Sequence, residues 1–193
     1  MARRKGLSLT KKDVVLAALA CLQKESEAGI GVNRVARELG VQPSALYNHV
    51  AGNDSLQCAV ALEGWRQLVE CFKQQVNEAS SEQDVIRRIA YAFRHFAHQN
   101  PALHTMMATT KLNLDEPEVA VVLQAMMTIL SEALKPFDLT GDQAIYAMRM
   151  FRATCHGFVE LERSGQYGSI LPQSVDKNYD WLIDRLVNAF QQA

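Results

Sequence analysis

The 193-residue sequence predicts an all-α protein of about nine helices. Apolar residues recur at every third or fourth position over most of the chain, which is the spacing of helices with one buried face. Residue pairs typical of helix starts precede several of these stretches, and Gly or Pro follows them. Nothing in the sequence points to a β-strand. We therefore expect a three-helix head at residues 1–56 and a larger helical body at residues 57–193.

The first helix is predicted to start after Thr10 and to end near Gly29. Thr10 and Asp13 approximate a capping box, in which the two residues satisfy free N–H groups of the first turn. The expected buried stripe consists of Val15, Ala18, Leu19 and Leu22.

Residues 32–50 predict two short helices joined by a tight turn. Gly40 stands where a helix often ends in a left-handed residue, and Pro43 suits the first turn of the second helix. Leu46 and Val50 face inward. The outer face and its flanks then hold Gln42, Ser44, Ala45, Tyr47, Asn48 and His49. Such hairpins are common in helical bundles, but small and polar residues on an exposed face suit a DNA major groove. We therefore expect these six residues and Pro43 to contact DNA.

The head resembles the tetracycline-repressor-like (TetR/AcrR) family. The resemblance rests on a basic N-terminal arm, an amphipathic first helix and the motifs Leu39-Gly40-Val41 and Leu46-Tyr47-x-His49-Val50. It implies a homodimer that binds a near-palindromic double-stranded DNA operator and responds to a small-molecule effector. We therefore expect Asn33 and Arg34, on the open side of the second helix, to lie close to the duplex.

Two positions depart from the family pattern. Gly31 stands where the family usually has a Thr or Ser that caps the second helix, and glycine is an acceptable substitute. Asn53 stands where a Lys often reaches a phosphate, so one charge-assisted contact is missing. The N-terminus of the fourth helix can still face a phosphate, and Asn53 stays among the expected DNA contacts.

The net charge of −1 conceals an asymmetry. Residues 1–56 carry eight Lys or Arg against five acidic residues, which leaves −4 for the remainder. A basic run is usually a solvated tail. Beside a helix-turn-helix, we expect Arg3, Arg4 and Lys5 to contact phosphates or to enter the minor groove.

The body continues with helices expected at about residues 54–77, 81–100, 101–107 and 117–135. Methionines and aromatic residues are frequent on their apolar faces, and such adaptable side chains suit either a plain core or a pocket. The family resemblance favours a pocket for a small apolar molecule. Its expected lining is Trp65, Phe72, Phe93, His104, Met107, Met126 and Phe151.

The last two long helices are expected to begin near Gln143 and Val175. Gly157 inside a helix costs about 1 kcal/mol relative to Ala unless something packs closely there. By resemblance, these helices pair with their copies across a two-fold axis, which buries surplus apolar surface. The expected interface residues are Gly157, Phe158, Leu182, Leu186 and Phe190. His156-Gly157 also resembles a subgroup with a Trp-His-Gly signature, although Cys155 stands in place of the Trp.

No metal or cofactor site is expected. His95 and His98 share a helix at i, i+3, but His95 points roughly opposite the buried face and His98 to its side, so both are expected to face solvent. The four cysteines are expected to be buried thiols in a reducing compartment. No apolar run is expected to span a membrane, so the cytoplasm is the expected location.

Three functional hypotheses follow from these patterns. The main one is a repressor that a small apolar ligand releases from DNA. A second is a DNA-bound regulator with a filled body that responds to a protein partner. A third is an enzyme that uses the helical cavity, but the sequence contains no recognisable catalytic motif.

Overall fold

The computed structural model describes residues 8–24, 30–167 and 174–192, where it contains nine α-helices, one short 3-10 helix and no β-strand. The helices are α1 Lys11–Lys24, α2 Val32–Leu39, α3 Pro43–Leu46, α4 Asn53–Glu78, α5 Glu82–Gln99, α6 Pro101–Thr109, α7 Pro117–Leu134, α8 Gln143–Arg163 and α9 Val175–Gln191. The prediction of an all-α fold is confirmed.

The helices divide into two compact units. One unit contains Met1–Gln67 and Asn100–Val122, and the other contains Leu68–Gln99 and Leu123–Ala193. Helices α4 and α7 therefore contribute residues to both units. The boundary expected after residue 56 separates the DNA-reading segment from the rest by function, and it stays a prediction.

Helix α1 begins with the capping box that the sequence predicts. The backbone N–H of Thr10 donates to Asp13 Oδ2 at 2.9 Å, and the Asp13 N–H donates to Thr10 Oγ1 at 3.2 Å. Helix α8 begins with Asp142 at its N-cap, although the Thr140 N–H still donates to Gln143 Oε1 at 2.8 Å. The Thr140–Gln143 pair therefore joins residues on either side of the α8 N-cap.

The core of the first unit lies around helix α1. Helix α1 packs against α2 and α6, and Val14, Ala18 and Leu56 are completely buried. Leu19, expected in the buried stripe, is only half-buried, whereas Val14 and Cys21 are buried. The first helix therefore turns a slightly different face inward from the one expected.

Helices α4 and α6 approach closely at Gly64. A Cβ atom built on Gly64 would lie 2.6 Å from Met107 Sδ and 2.9 Å from Leu103 Cδ1, which is closer than real Cβ contacts. A glycine is therefore what allows α6 to pack against this part of α4.

The second unit is organised around Tyr179 of α9. Its side chain is completely buried, and its hydroxyl donates to the carbonyl oxygen of Ala90 at 2.8 Å. The Phe158 ring lies 4.9 Å from the Tyr179 ring, centroid to centroid, and the Tyr91 ring lies 5.5 Å away. Tyr179 thus links α5, α8 and α9 in one apolar core.

One stretch among the described residues corrects an expectation about membranes. Pro117–Phe137 is long and apolar enough to cross a membrane, with a mean hydropathy of 1.3, and 33% of it is buried. The sequence was expected to contain no run of this length. A single such helix is weak support for a membrane role, because core helices of water-soluble proteins have similar length and composition.

Candidate nucleic-acid interface

Helices α2 and α3 are held together by a small buried core. Val35, Leu46 and Val50 are between 0% and 2% exposed. Gly40 ends α2 in the left-handed conformation, with φ 66°. Its N–H bonds to the Arg37 carbonyl at 3.1 Å. The predicted turn is therefore present, and it fixes the direction in which α3 leaves α2.

Helix α3 is shorter than the predicted second helix, since residues 47–49 form a turn. The N–H groups of His49 and Val50 nevertheless bond to the carbonyl oxygen of Leu46 at 2.8 and 3.0 Å. The segment therefore stays compact as far as Val50.

This anchoring leaves the predicted DNA-facing side chains on the surface. Gln42, Ser44, Tyr47 and Asn48 are exposed, and Pro43, Ala45 and His49 are half-buried. No Asp or Glu occurs between Glu38 and Asp54, so this surface has no carboxylate of its own to repel phosphates. The structure brings these residues together on one short segment, and their contact with DNA stays a prediction.

Arg34 and Asn33, expected near the duplex, have different surroundings. Asn33 is exposed, whereas the Arg34 guanidinium lies 3.3 Å from the Glu38 carboxylate. The Lys24 ammonium lies 2.6 Å from the same carboxylate, and these two cations hold the pKa of Glu38 below its ordinary value. Arg34 must therefore share its charge between Glu38 and any phosphate.

Asn53 has a structural role that the sequence pattern does not reveal. Its Oδ1 atom accepts a hydrogen bond from the backbone N–H of Val32 at 3.0 Å. Gly31, the N-cap of α2, has no side chain with which to do this. The missing side chain at residue 31 is the sequence signal that could have indicated a substitute, but nothing nearby in the chain identifies Asn53. Arg3, Arg4 and Lys5, the predicted arm, lie outside the described residues.

The residues predicted to line a ligand pocket are distributed over the two units. Trp65, His104 and Met107 belong to the first unit, where Trp65 is half-buried and the other two are buried. The members in the second unit are Phe72, Phe93, Met126 and Phe151, all buried. The Phe93 ring lies 4.4 Å from the His156 ring, centroid to centroid. A ligand role for these side chains stays a prediction.

Three residues of the predicted dimer interface lie in the core of the protomer. Phe158, Leu186 and Phe190 are 3–4% exposed. These side chains already pack within their own chain, so they are not available to a partner. Gly157 is exposed and Leu182 is half-buried, and these two can still face another copy.

A different set of apolar and small residues is exposed on α8 and α9. On α8 the exposed residues Tyr146, Met150, Ala153, Gly157 and Leu161 follow one another at helical spacing. On α9 Trp181 is 61% exposed. We call this set the α8–α9 face. The sequence pattern does not distinguish this set from the buried stripes, because both sides of α8 carry apolar residues and Trp181 is a single apolar position on an otherwise polar side of α9.

The histidines of α5 have polar surroundings. His95 and His98 are exposed, and His98 Nε2 lies 2.8 Å from Glu162 Oε2. Among the residues that the structure describes, no three His, Cys, Asp or Glu side chains gather closely enough to hold a metal ion.

Comparison with known families and proteins finds similarity to transcriptional regulators. A family model described as the tetracyclin repressor-like C-terminal domain matches residues 86–186. A relative from Mycobacterium tuberculosis, named as the uncharacterized HTH-type transcriptional regulator Rv0681, is 29% identical over 157 residues. That match covers 81% of this chain and 72% of the relative.

Solved structures share the fold over nearly the whole chain. A protein of unknown function from Rhodococcus sp. RHA1 has a TM-score of 0.75 and 22% identity, covering 98% of this chain and 97% of that one. A single-residue variant of TetR from Acinetobacter baumannii AYE, in complex with minocycline, has a TM-score of 0.69 and 21% identity, covering 95% and 97%. At these identities the likeness establishes the fold alone.

Proposed function

The chain belongs to the tetracycline-repressor-like family of DNA-binding transcriptional regulators, and on this basis we propose that it is a homodimeric repressor. In this proposal, a small apolar effector binds the body and lowers the affinity of the two heads for a near-palindromic operator. The observation that carries the proposal is the exposed, acid-free surface of α3 and its following turn, held on a buried core.

Base readout is assigned to the exposed face of this segment. Ser44, Ala45 and Asn48 are proposed to face base edges, since small and amide side chains suit the major groove. Tyr47, His49 and the arm residues 3–5 are proposed to face the phosphate backbone. Such phosphate contacts position the protein and make its affinity dependent on salt.

Homodimer formation is assigned to the α8–α9 face. A row of exposed apolar and small residues along a helix is a costly surface for a monomer to present to water. A two-fold axis lets the same row serve both copies, and small residues such as Ala153 and Gly157 permit close helix approach. Two heads would then reach successive major grooves of the operator.

The binding site of the effector is assigned to the body by analogy with a related solved structure. The related structure from Acinetobacter baumannii is described as a complex with minocycline, which supports a small-molecule site in a body of this fold. Buried aromatic residues and methionines, among them Phe72, Phe93 and Met126, suit an apolar molecule. An effector that binds two states of the body with different affinity shifts the population of the heads.

Finer assignments belong to the same proposal. His156-Gly157 supports a place in the subgroup with a Trp-His-Gly signature. Membership of a regulator family supports a non-enzymatic role, without a cofactor, in the cytoplasm. The main alternative is a regulator whose body is filled by its own side chains and which responds to a protein partner.

Selection of DNA and native mass spectrometry test the proposal together. The purified protein is incubated with a random duplex library, and the bound sequences are expected to converge on one near-palindrome. Native mass spectrometry is expected to give the mass of a dimer, with an additional apolar molecule in the body. A protein that enriches no sequence contradicts operator binding. A dimer that carries no molecule and binds none from an apolar compound library favours the protein-partner alternative.

A further inference from the structure

The N-terminus of α2 has no side-chain cap of its own. Gly31 occupies the N-cap position in an extended conformation, with φ −140° and ψ 159°. The first N–H groups of a helix have no partner inside the helix, and a capping side chain normally accepts from one of them. Gly31 cannot supply this acceptor, so α2 depends on another part of the chain.

Asn53, the first residue of α4, supplies the acceptor. Its Oδ1 accepts from the N–H of Val32, the first residue of α2, at 3.0 Å. A Cβ atom built on Gly31 would lie 3.4 Å from the same oxygen. The Asn53 side chain therefore lies directly beside the position from which a local capping side chain would act.

We propose that Asn53 is a positioning residue for DNA binding, which holds the first turn of α2 in the orientation that the operator requires. Asn33 and Arg34 follow the capped residue directly, so fraying of this turn would displace both. Asn53 acts through the α2 backbone and not by reading a base. This inference rests on the proposed operator binding.

The position of the acceptor has a consequence for how the head is held. A cap at residue 31 would belong to the α2 segment itself and would move with it. The acceptor on Asn53 belongs to α4, so a displacement at the start of α4 is transmitted to the N-terminus of α2 through one hydrogen bond.

Three variants separate capping from a direct contact with DNA. The first is Asn53→Ala, the second is the double variant Gly31→Ser/Asn53→Ala, and the third is the control Asn77→Ala, an exposed Asn in the same helix. The double variant places a Ser at the N-cap, where its hydroxyl can accept from the second or third N–H of α2. Removing the Asn53 side chain also clears the atom nearest to the new Cβ.

The probe is the duplex that the wild-type protein selects from a random library. Asn53→Ala is expected to weaken binding about fivefold, the effect of losing one helix cap. The double variant is expected to recover most of this loss, and Asn77→Ala is expected to bind like the wild type. Hydrogen exchange is expected to accelerate at the first-turn amides of α2 in Asn53→Ala and to slow again in the double variant.

Two results overturn the inference alone. One is an Asn53→Ala protein that binds the duplex as tightly as the wild type. The other is a double variant that stays as weak as Asn53→Ala although its α2 amides are protected again, since this would assign Asn53 a direct contact with DNA. A wild-type protein that selects no duplex instead overturns the proposed function, and the inference with it.

Discussion

Arg94 of α5 and Glu162 of α8 form a two-point ion pair. The Arg94 Nε donates to Glu162 Oε2 at 2.9 Å, and its Nη2 donates to Glu162 Oε1. The same Nη2 donates to Asp176 of α9 at 2.7 Å. The Arg94 and Glu162 side chains are only 15% and 13% exposed. One guanidinium therefore connects three helices of the second unit from a position that is largely removed from water.

Glu162→Gln is expected to lower the free energy of unfolding by about 1–3 kcal/mol, because Arg94 would keep its sheltered position without its main charged partner. Urea denaturation at neutral pH measures the change. Glu160→Gln on the same helix is the matched control, since Glu160 is exposed and lies 3.7 Å from Arg163. Because the Glu160 carboxylate is largely in water, its pair with Arg163 is expected to contribute about 0–1 kcal/mol. Equal losses in the two variants would contradict the role given to Arg94.

The contribution of Glu162 to the stability of the wild type is expected to disappear at acidic pH. The hydrogen bond from Arg94, followed by that from His98, lowers the pKa of Glu162 below its ordinary value of 4.5. The resulting stabilisation is complete above that ordinary value and is lost as the pH falls through the lowered pKa. Urea titrations from pH 6 downward should show the wild type and Glu162→Gln converging in stability below pH 4.5. Parallel curves over this range would contradict the prediction.

Gly64→Val is expected to destabilise the first unit by about 1–3 kcal/mol through overpacking against α6. Met107 Sδ is the atom closest to the new Cβ. The double variant Gly64→Val/Met107→Ala should therefore be more stable than the sum of its single variants predicts, by about 0.5–3 kcal/mol. Thermal melts of the four proteins provide the cycle. Additive losses would show that Met107 does not limit the space at residue 64.

Gly157→Leu is expected to raise the dimer dissociation constant at least about tenfold, which corresponds to roughly 1.4 kcal/mol. Within the protomer, a Cβ atom at residue 157 would meet no atom within 4 Å. The new side chain therefore disturbs the protomer little, and its effect falls on the contact between copies. Analytical ultracentrifugation measures the dissociation constant. Ala120→Leu, at an exposed alanine of α7, is the control. A Gly157→Leu dimer as tight as the wild type would exclude this face.

The sequence also predicts that Leu186 lies at the dimer interface, but a substitution there would affect the protomer itself. Leu186→Asp would place a carboxylate in the protomer core and lower its stability, because Leu186 is buried there. It cannot serve as a specific probe of the dimer.

Asn48→Ala is expected to change which operators are preferred, at a cost of about 1–3 kcal/mol on the preferred sequence. Deleting residues 3–5 should instead weaken all sequences alike and reduce the salt slope by about 2–3. Selection from a random library and titrations at several salt concentrations distinguish the two. An unchanged preference in Asn48→Ala would remove Asn48 from base readout.

Much of the fold follows from local patterns in the sequence. The capping box at Thr10, the left-handed Gly40 and the inward-facing Leu46 each depend on residues within a few positions of one another. Periodicity and turn chemistry describe such relationships well, because the physical cause is itself local.

The remaining features depend on contacts that periodicity does not describe. Apolar spacing indicates that a helix face is buried, but it does not say whether the protomer or a partner covers it. Apolar spacing therefore places Phe158 and Leu186 at a partner although they pack within the chain, and it does not identify the exposed Tyr146 and Trp181. The cap from Asn53 to Val32 joins residues 21 positions apart, and only the folded chain brings them together.

The pairing of Gly31 with Asn53 also restricts how this head can diverge over generations. Losing Asn53 first removes the acceptor for the Val32 N–H in a single step and is expected to weaken operator binding immediately. If Gly31→Ser comes first, the later loss of Asn53 is expected to be nearly neutral, and position 53 is then open to a basic side chain. Mutational paths that begin at residue 31 should therefore be accessible, whereas the reverse order should be selected against.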